Sequence, residues 1–160
     1  MTAKKLGQSN ILSLEAKAFK RKEITVVANG QEFKVAIDTK FKDTEIANIF
    51  AELIERSEYA KKASLDFDVT AYILILLIKH FTDIEFQETN SMAKNMNVEV
   101  RTLNALINLG LLEQILEHFD KAEVEKLNTA FEKHEAGLKE IANNLMVKEV
   151  GIYNEAKVEE

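Results

Sequence analysis

The 160-residue sequence contains no cysteine, which removes disulfides, thiolate metal sites and thiol nucleophiles together. Proline is also absent and there are only five glycines, so obligatory chain breaks are few and long helices are favoured over a many-turned β fold. No long hydrophobic run occurs. The longest, residues 71–78, falls far short of the roughly 20 residues a membrane-spanning helix needs. The start of the chain has Lys4 and Lys5 but no apolar stretch followed by small residues, so no signal peptide is read and a cytoplasmic protein is expected. A formal charge of −6 opposes non-specific nucleic-acid binding. That average hides a gradient. Residues 1–23 are basic on balance and residues 111–160 acidic, a pattern that suits two solvated surfaces or head-to-tail self-association.

What is present is a globular composition, 46% apolar and 30% charged, in a length that suits one domain with a real core. The clearest local pattern begins at Ile24. Two alternating runs meet at Asn29-Gly30, a pair that tolerates the positive φ angles of a type I′ hairpin turn. The implied register pairs Ala28 with Gln31, Val26 with Phe33, Ile24 with Val35 and Lys22 with Ile37. Ile24, Val26, Phe33, Val35 and Ile37 then share one apolar face, while Thr25, Glu32 and Lys34 share the other. Two strands alone are marginal in water, so this face requires helices laid across it. On that reading Phe33 is a buried aromatic.

Helical periodicity follows. Ile46, Ile49, Phe50, Leu53 and Ile54 define an amphipathic helix capped by Asp43 or Thr44 and running to about Lys61. Asp66 or Asp68 caps the next helix, whose run from Tyr72 to Ile78 is apolar all round and central to the core. Residues 87–97 read as a polar loop with a partial turn from Ser91. Val98 to Leu109 form a helix closed by Gly110, and Leu111 to Phe119 a short second one. Asp120 with Glu123 resembles a capping box opening a last helix. Along it Val124, Leu127, Phe131, Leu138, Ile141 and Leu145 form a heptad-like seam, interrupted by His134 and Gly137, that serves either the core or an intermolecular contact. The expected architecture is mainly α with an α+β start: an N-terminal β-hairpin packed on a multi-helix bundle, with a long amphipathic C-terminal helix. Residues 1–22 read as a flexible basic arm, of which Leu14 to Lys22 form a short basic helix or lead straight into the first strand, 23–147 as a single domain and 148–160 as a frayed tail.

Catalytic signatures are missing. His80, His118 and His134 are scattered; His134-Glu135 opens a zinc-protease pattern, but position 138 is Leu where the second ligand belongs. No Glu lies three residues before any histidine, which excludes the usual helix-bundle di-iron motif. The glycines are too dispersed for a phosphate loop or dinucleotide fingerprint, and no Gly-x-Ser-x-Gly elbow occurs. No catalytic residue, cofactor or metal is assigned, and the reading is a non-enzyme. Val100 to Leu112, with its Leu109-Gly110-Leu111, resembles the recognition helix of winged-helix regulators, which makes a small helical DNA-binding regulator using residues 98–112 the alternative. The acidic helical continuation through Glu113, Glu117 and Asp120 speaks against a wing.

The hairpin from Ile24 to Ile37, followed by Asp38-Thr39-Lys40-Phe41 and a helical domain, resembles the tail assembly chaperones of long-tailed bacteriophages over roughly residues 23–85. That resemblance implies a small, mostly helical protein of the bacterial host cytoplasm that binds the tape-measure protein, helps recruit tail-tube subunits and in some cases self-associates. The basic stretch before the hairpin and the seam of the last helix have no counterpart in that family pattern. The seam residues of the last helix, or the free edge of the hairpin, are the expected contact surface.

Overall fold

The computed structural model describes residues 2–134. It divides into two compact units, residues 1–124 and 125–160. The first unit runs α1 (Gln8–Ala18), β1 (Arg21–Ala28), β2 (Gln31–Asp38), α2 (Asp43–Lys62), α3 (Val69–Phe81), α4 (Met92–Asn108) and α5 (Leu111–His118). A sixth helix, α6, begins at 121 and continues into the second unit as far as 134, the last described residue. The chain is therefore mainly helical with an N-terminal hairpin. The seam positions Leu138, Ile141 and Leu145, and the expected tail 148–160, lie outside the described residues.

The hairpin has the register its alternation implies, Val26 opposite Phe33 and Ile24 opposite Val35. Asn29 and Gly30 carry φ of 53° and 73°, the left-handed pair a type I′ turn requires. Ile24, Val26, Val35 and Ile37 are buried, and Ile37 is completely so. Phe33 is the correction. It stands on the apolar side of the sheet but is 45% exposed, because near the turn the helical cover, α5, lies over β1, where Val26 opposite it and Ala28 beside the turn are buried, and leaves β2 bare.

Beneath the base of the hairpin lies the centre of the core. Phe41 and Phe81 stack at 3.9 Å between ring centroids, Phe119 meets Phe41 edge-on at 5.4 Å, and neither Phe41 nor Phe81 has solvent exposure. Each stacked ring is placed by an element boundary: Phe41 just precedes α2, and Phe81 is the last residue of α3. Of the two proposed caps for α3, Asp68 is the one used, accepting from the Ala71 N–H at 3.1 Å. α2 begins with Asp43 itself, whose charge faces the positive helix end, rather than after it.

Three further boundaries differ from the sequence reading. Residues 1–22, expected as a flexible arm with at most a short helix from Leu14, contain helix α1 from Gln8 to Ala18, and β1 starts at Arg21. No residue of α1 is buried. Residues 92–97, read as loop, are the opening turns of α4. Ser91 accepts from the Lys94 N–H, and Asn95 turns back to take the Thr89 N–H at 2.7 Å and donate to the Thr89 carbonyl, so polar residues that resemble a loop are the helix cap. At α6, Asp120 Oδ1 accepts from the Ala122 N–H, while the Glu123 carboxylate accepts from the Phe41 N–H at 2.8 Å and so anchors the chain before α2.

Candidate interaction surface

The edges of the hairpin follow from its turn. In a two-residue hairpin alternate residues turn their backbone groups away from the partner strand, here Glu23, Thr25 and Val27 on β1 and Glu32, Lys34 and Ala36 on β2. Two of these six positions are clasped. The Gln114 side chain of α5 accepts from the Val27 N–H and donates to the Val27 carbonyl, both at 2.8 Å. Asp83, just past α3, takes the Ala36 N–H on its carboxylate at 2.9 Å and donates its own N–H to the Ala36 carbonyl. Glu32 and Lys34 on β2, and Glu23 and Thr25 on β1, keep outward backbone groups without a partner among the described residues. Phe33 stands exposed between the two β2 positions. An open stretch of edge with an aromatic in it can accept an added strand.

The seam predicted on α6 is only partly within view. Leu127 is buried, and Val124 and Phe131 are half-buried. Sequence reasoning offered a short helix only from Leu14 and missed the first turns of α1, where Leu6 just ahead of the helix and Ile11, Leu12 and Leu14 within it are 50–63% exposed. The spacing of Ile11, Leu14 and Ala18 was the available signal; Gly7, Ser9 and Asn10 obscured it.

Two concavities frame the first unit. One, of about 470 Å³, lies between the end of α4 and α5, lined by Ile107, Gly110, Leu112 and Leu116 and flanked by Glu113 and Glu117. It occupies the region of the proposed recognition helix. Gly110, at φ 69°, turns the chain directly into α5, where a wing would need a strand, and the two carboxylates would repel a phosphate backbone. The other, of about 430 Å³, is lined by Phe19, Arg21, Lys40, Lys42, Lys79 and His80 together with Asp38 and Glu45. Its cations are largely committed: Arg21 to Asp38 at 2.8 Å, Lys42 to Glu15 at 3.7 Å, Lys79 to Glu52 at 3.2 Å and His80 to Glu45 at 2.8 Å.

That last group continues into a charge network between helices. Arg56 of α2 and Glu99 of α4, each 3% exposed, meet in a two-pronged pair at 2.9 Å, and Glu52 reaches Arg56, Lys79 and His80. Burial works to raise the Glu52 carboxyl, but contact with the His80 ring and its charge, joined by Lys79, holds it at about 2. Burial likewise works against the His80 cation, yet Glu52 and Glu45 keep its pKa above the ordinary histidine value. Tyr72, buried near Glu99, is pushed up to about 12. These groups are paired with one another and face the helix interfaces, so the arrangement is that of a structural brace. His118 bonds its own helix at the Gln114 carbonyl. Among the described residues no group of three or more acidic or histidine side chains is placed to hold a metal ion, and no helix is long and apolar enough to cross a membrane.

No curated protein and no solved structure matches the chain. A family model does match, under the name YomO, over residues 9–160, a span that takes in the hairpin, its clasps and every helix from α1 onward. The chain therefore belongs to the YomO family.

Proposed function

We propose that this protein is a non-enzymatic tail assembly chaperone of a phage, binding the tape-measure protein and helping to recruit tail-tube subunits in the cytoplasm of the bacterial host. The observation that carries the reading is the open β2 edge at Glu32 and Lys34 with Phe33 exposed between them, a surface suited to holding an extended segment of another chain. Membership of a family named for a Bacillus phage-region protein supports the phage setting. Strand addition suits such a task, because backbone hydrogen bonds give affinity for an unfolded segment with little demand on its sequence.

Co-expression with the tape-measure protein of the same phage region tests the proposal. The tape-measure chain should copurify with the wild type and be largely lost with Lys34→Pro. That change deletes an outward N–H while leaving the β1–β2 ladder intact, since Lys34 does not donate toward β1. Failure of the wild type to retain the tape-measure chain, combined with DNA binding that weakens steeply with salt, would instead support the regulator.

A further inference from the structure

We infer that α1 of one copy docks in the α4/α5 groove of a second copy. The inference stands on these two surfaces and does not depend on the chaperone reading. α1 has 11 residues and buries none of them. A helix that short is marginal in water without an apolar seat. Its exposed stripe, Ile11, Leu12 and Leu14, is therefore a face in need of a cover. The groove has the complementary character: an apolar floor with Ile107 52% exposed at its rim, and two carboxylates, Glu113 and Glu117, with no ion-pair partner among the described residues. Lys4 and Lys5 ahead of α1 and Lys17 in its last turn also have none, so the charges match across the contact.

Within one copy the two surfaces are held apart. α1 is joined to the base of β1 through Phe19 and Lys20 alone, and Glu15 ties it to Lys42 there at 3.7 Å. The groove belongs to α5, which clasps Val27 at the opposite end of the strand, roughly 20 Å away at about 3.3 Å per residue. The segment 135–160 is the other conceivable occupant, but it is acidic on balance and would be repelled by Glu113 and Glu117. Helix-in-groove docking between copies satisfies both surfaces, with Lys4, Lys5 and Lys17 of one copy facing Glu113 and Glu117 of the other.

Complementation tests this in the full-length chain. Ile11→Asp with Leu14→Asp disables the helix face, and Glu113→Lys with Glu117→Lys disables the groove; all four positions are exposed, so the fold should persist by circular dichroism. In sedimentation velocity at low salt the wild type should gain mass with concentration, each double variant alone should remain monomeric, and an equal mixture of the two should form a heterodimer. A wild type that stays monomeric at high concentration would overturn the inference. So would variants that associate like the wild type, or a mixture that gives no heterodimer.

Discussion

Phe33 and Arg56 mark where single residues depart from pattern. Alternation along β2 places Phe33 on the correct side of the sheet, but whether a position on that side is covered depends on how far the helices reach, which no local period encodes. Ile37, four residues further from the turn, is fully buried. Ile37→Ala should accordingly cost about 2 to 5 kcal/mol, while Phe33→Ala should cost under about 1 kcal/mol. Urea midpoints of the two variants decide it, and similar losses would mean the tip is covered in solution. Arg56 and Glu99 were legible in principle, since Arg56 continues the stripe Ile46, Ile49, Leu53 and Glu99 interrupts Met96, Leu103 and Leu106. Two opposite charges inside apolar stripes point to a buried pair. Arg56→Met alone should destabilise by about 3 to 5 kcal/mol by stranding the carboxylate, and adding Glu99→Leu should recover much of that. A double change no better than the single would show that the pair itself, rather than its completeness, stabilises the packing.

At the scale of elements, the hairpin and helices α2, α3 and α5 were legible because each carries its signal internally: a positive-φ turn pair, a 3.6-residue period, a capping aspartate, a glycine between two apolar runs. The first turns of α1 and of α4 were not, because residues that disfavour helix interiors are used there for local hydrogen bonds, Asn10 to the Gly7 N–H and Asn95 to Thr89. A two-stranded hairpin implies open edges in kind, but their limits depend on Gln114 and Asp83, whose closeness to the strands is a tertiary fact. Gly110 shows how firmly a boundary can be tested. Its φ is 69° and nothing lies within 4 Å of the point a side-chain methyl would occupy, so Gly110→Ala meets backbone strain without a clash. The expected loss is about 1 to 2 kcal/mol by thermal or urea unfolding. A much larger loss would mean that the α4 to α5 turn is crowded in solution.

On the scale of the whole molecule, stability should depend on pH through the network joining α2, α3 and α4. His80 sits between Glu45, at 2.8 Å from Nδ1, and Glu52, at 3.2 Å from Nε2. Lys79 bridges Glu52 and Glu88, and Arg56 joins Glu52 to Glu99. Glu52 is held at about 2 against an ordinary 4.5, so its contribution is complete above 4.5 and is lost as pH falls toward 2. His80 is held above 6.5, so its contribution is complete below 6.5 and is lost as pH rises through the folded value. Both contributions are therefore whole between about 4.5 and 6.5, the window where this network stabilises the fold most. His80→Gln removes the alkaline titration and one of the cations holding Glu52 down, so the decline of the urea midpoint above pH 6.5 should flatten, and the acid limb, still beginning near 4.5, should be smaller and finish at a higher pH. Wild-type and His80→Gln curves that run parallel from acid to alkaline pH would show that the network does not govern the stability of the chain.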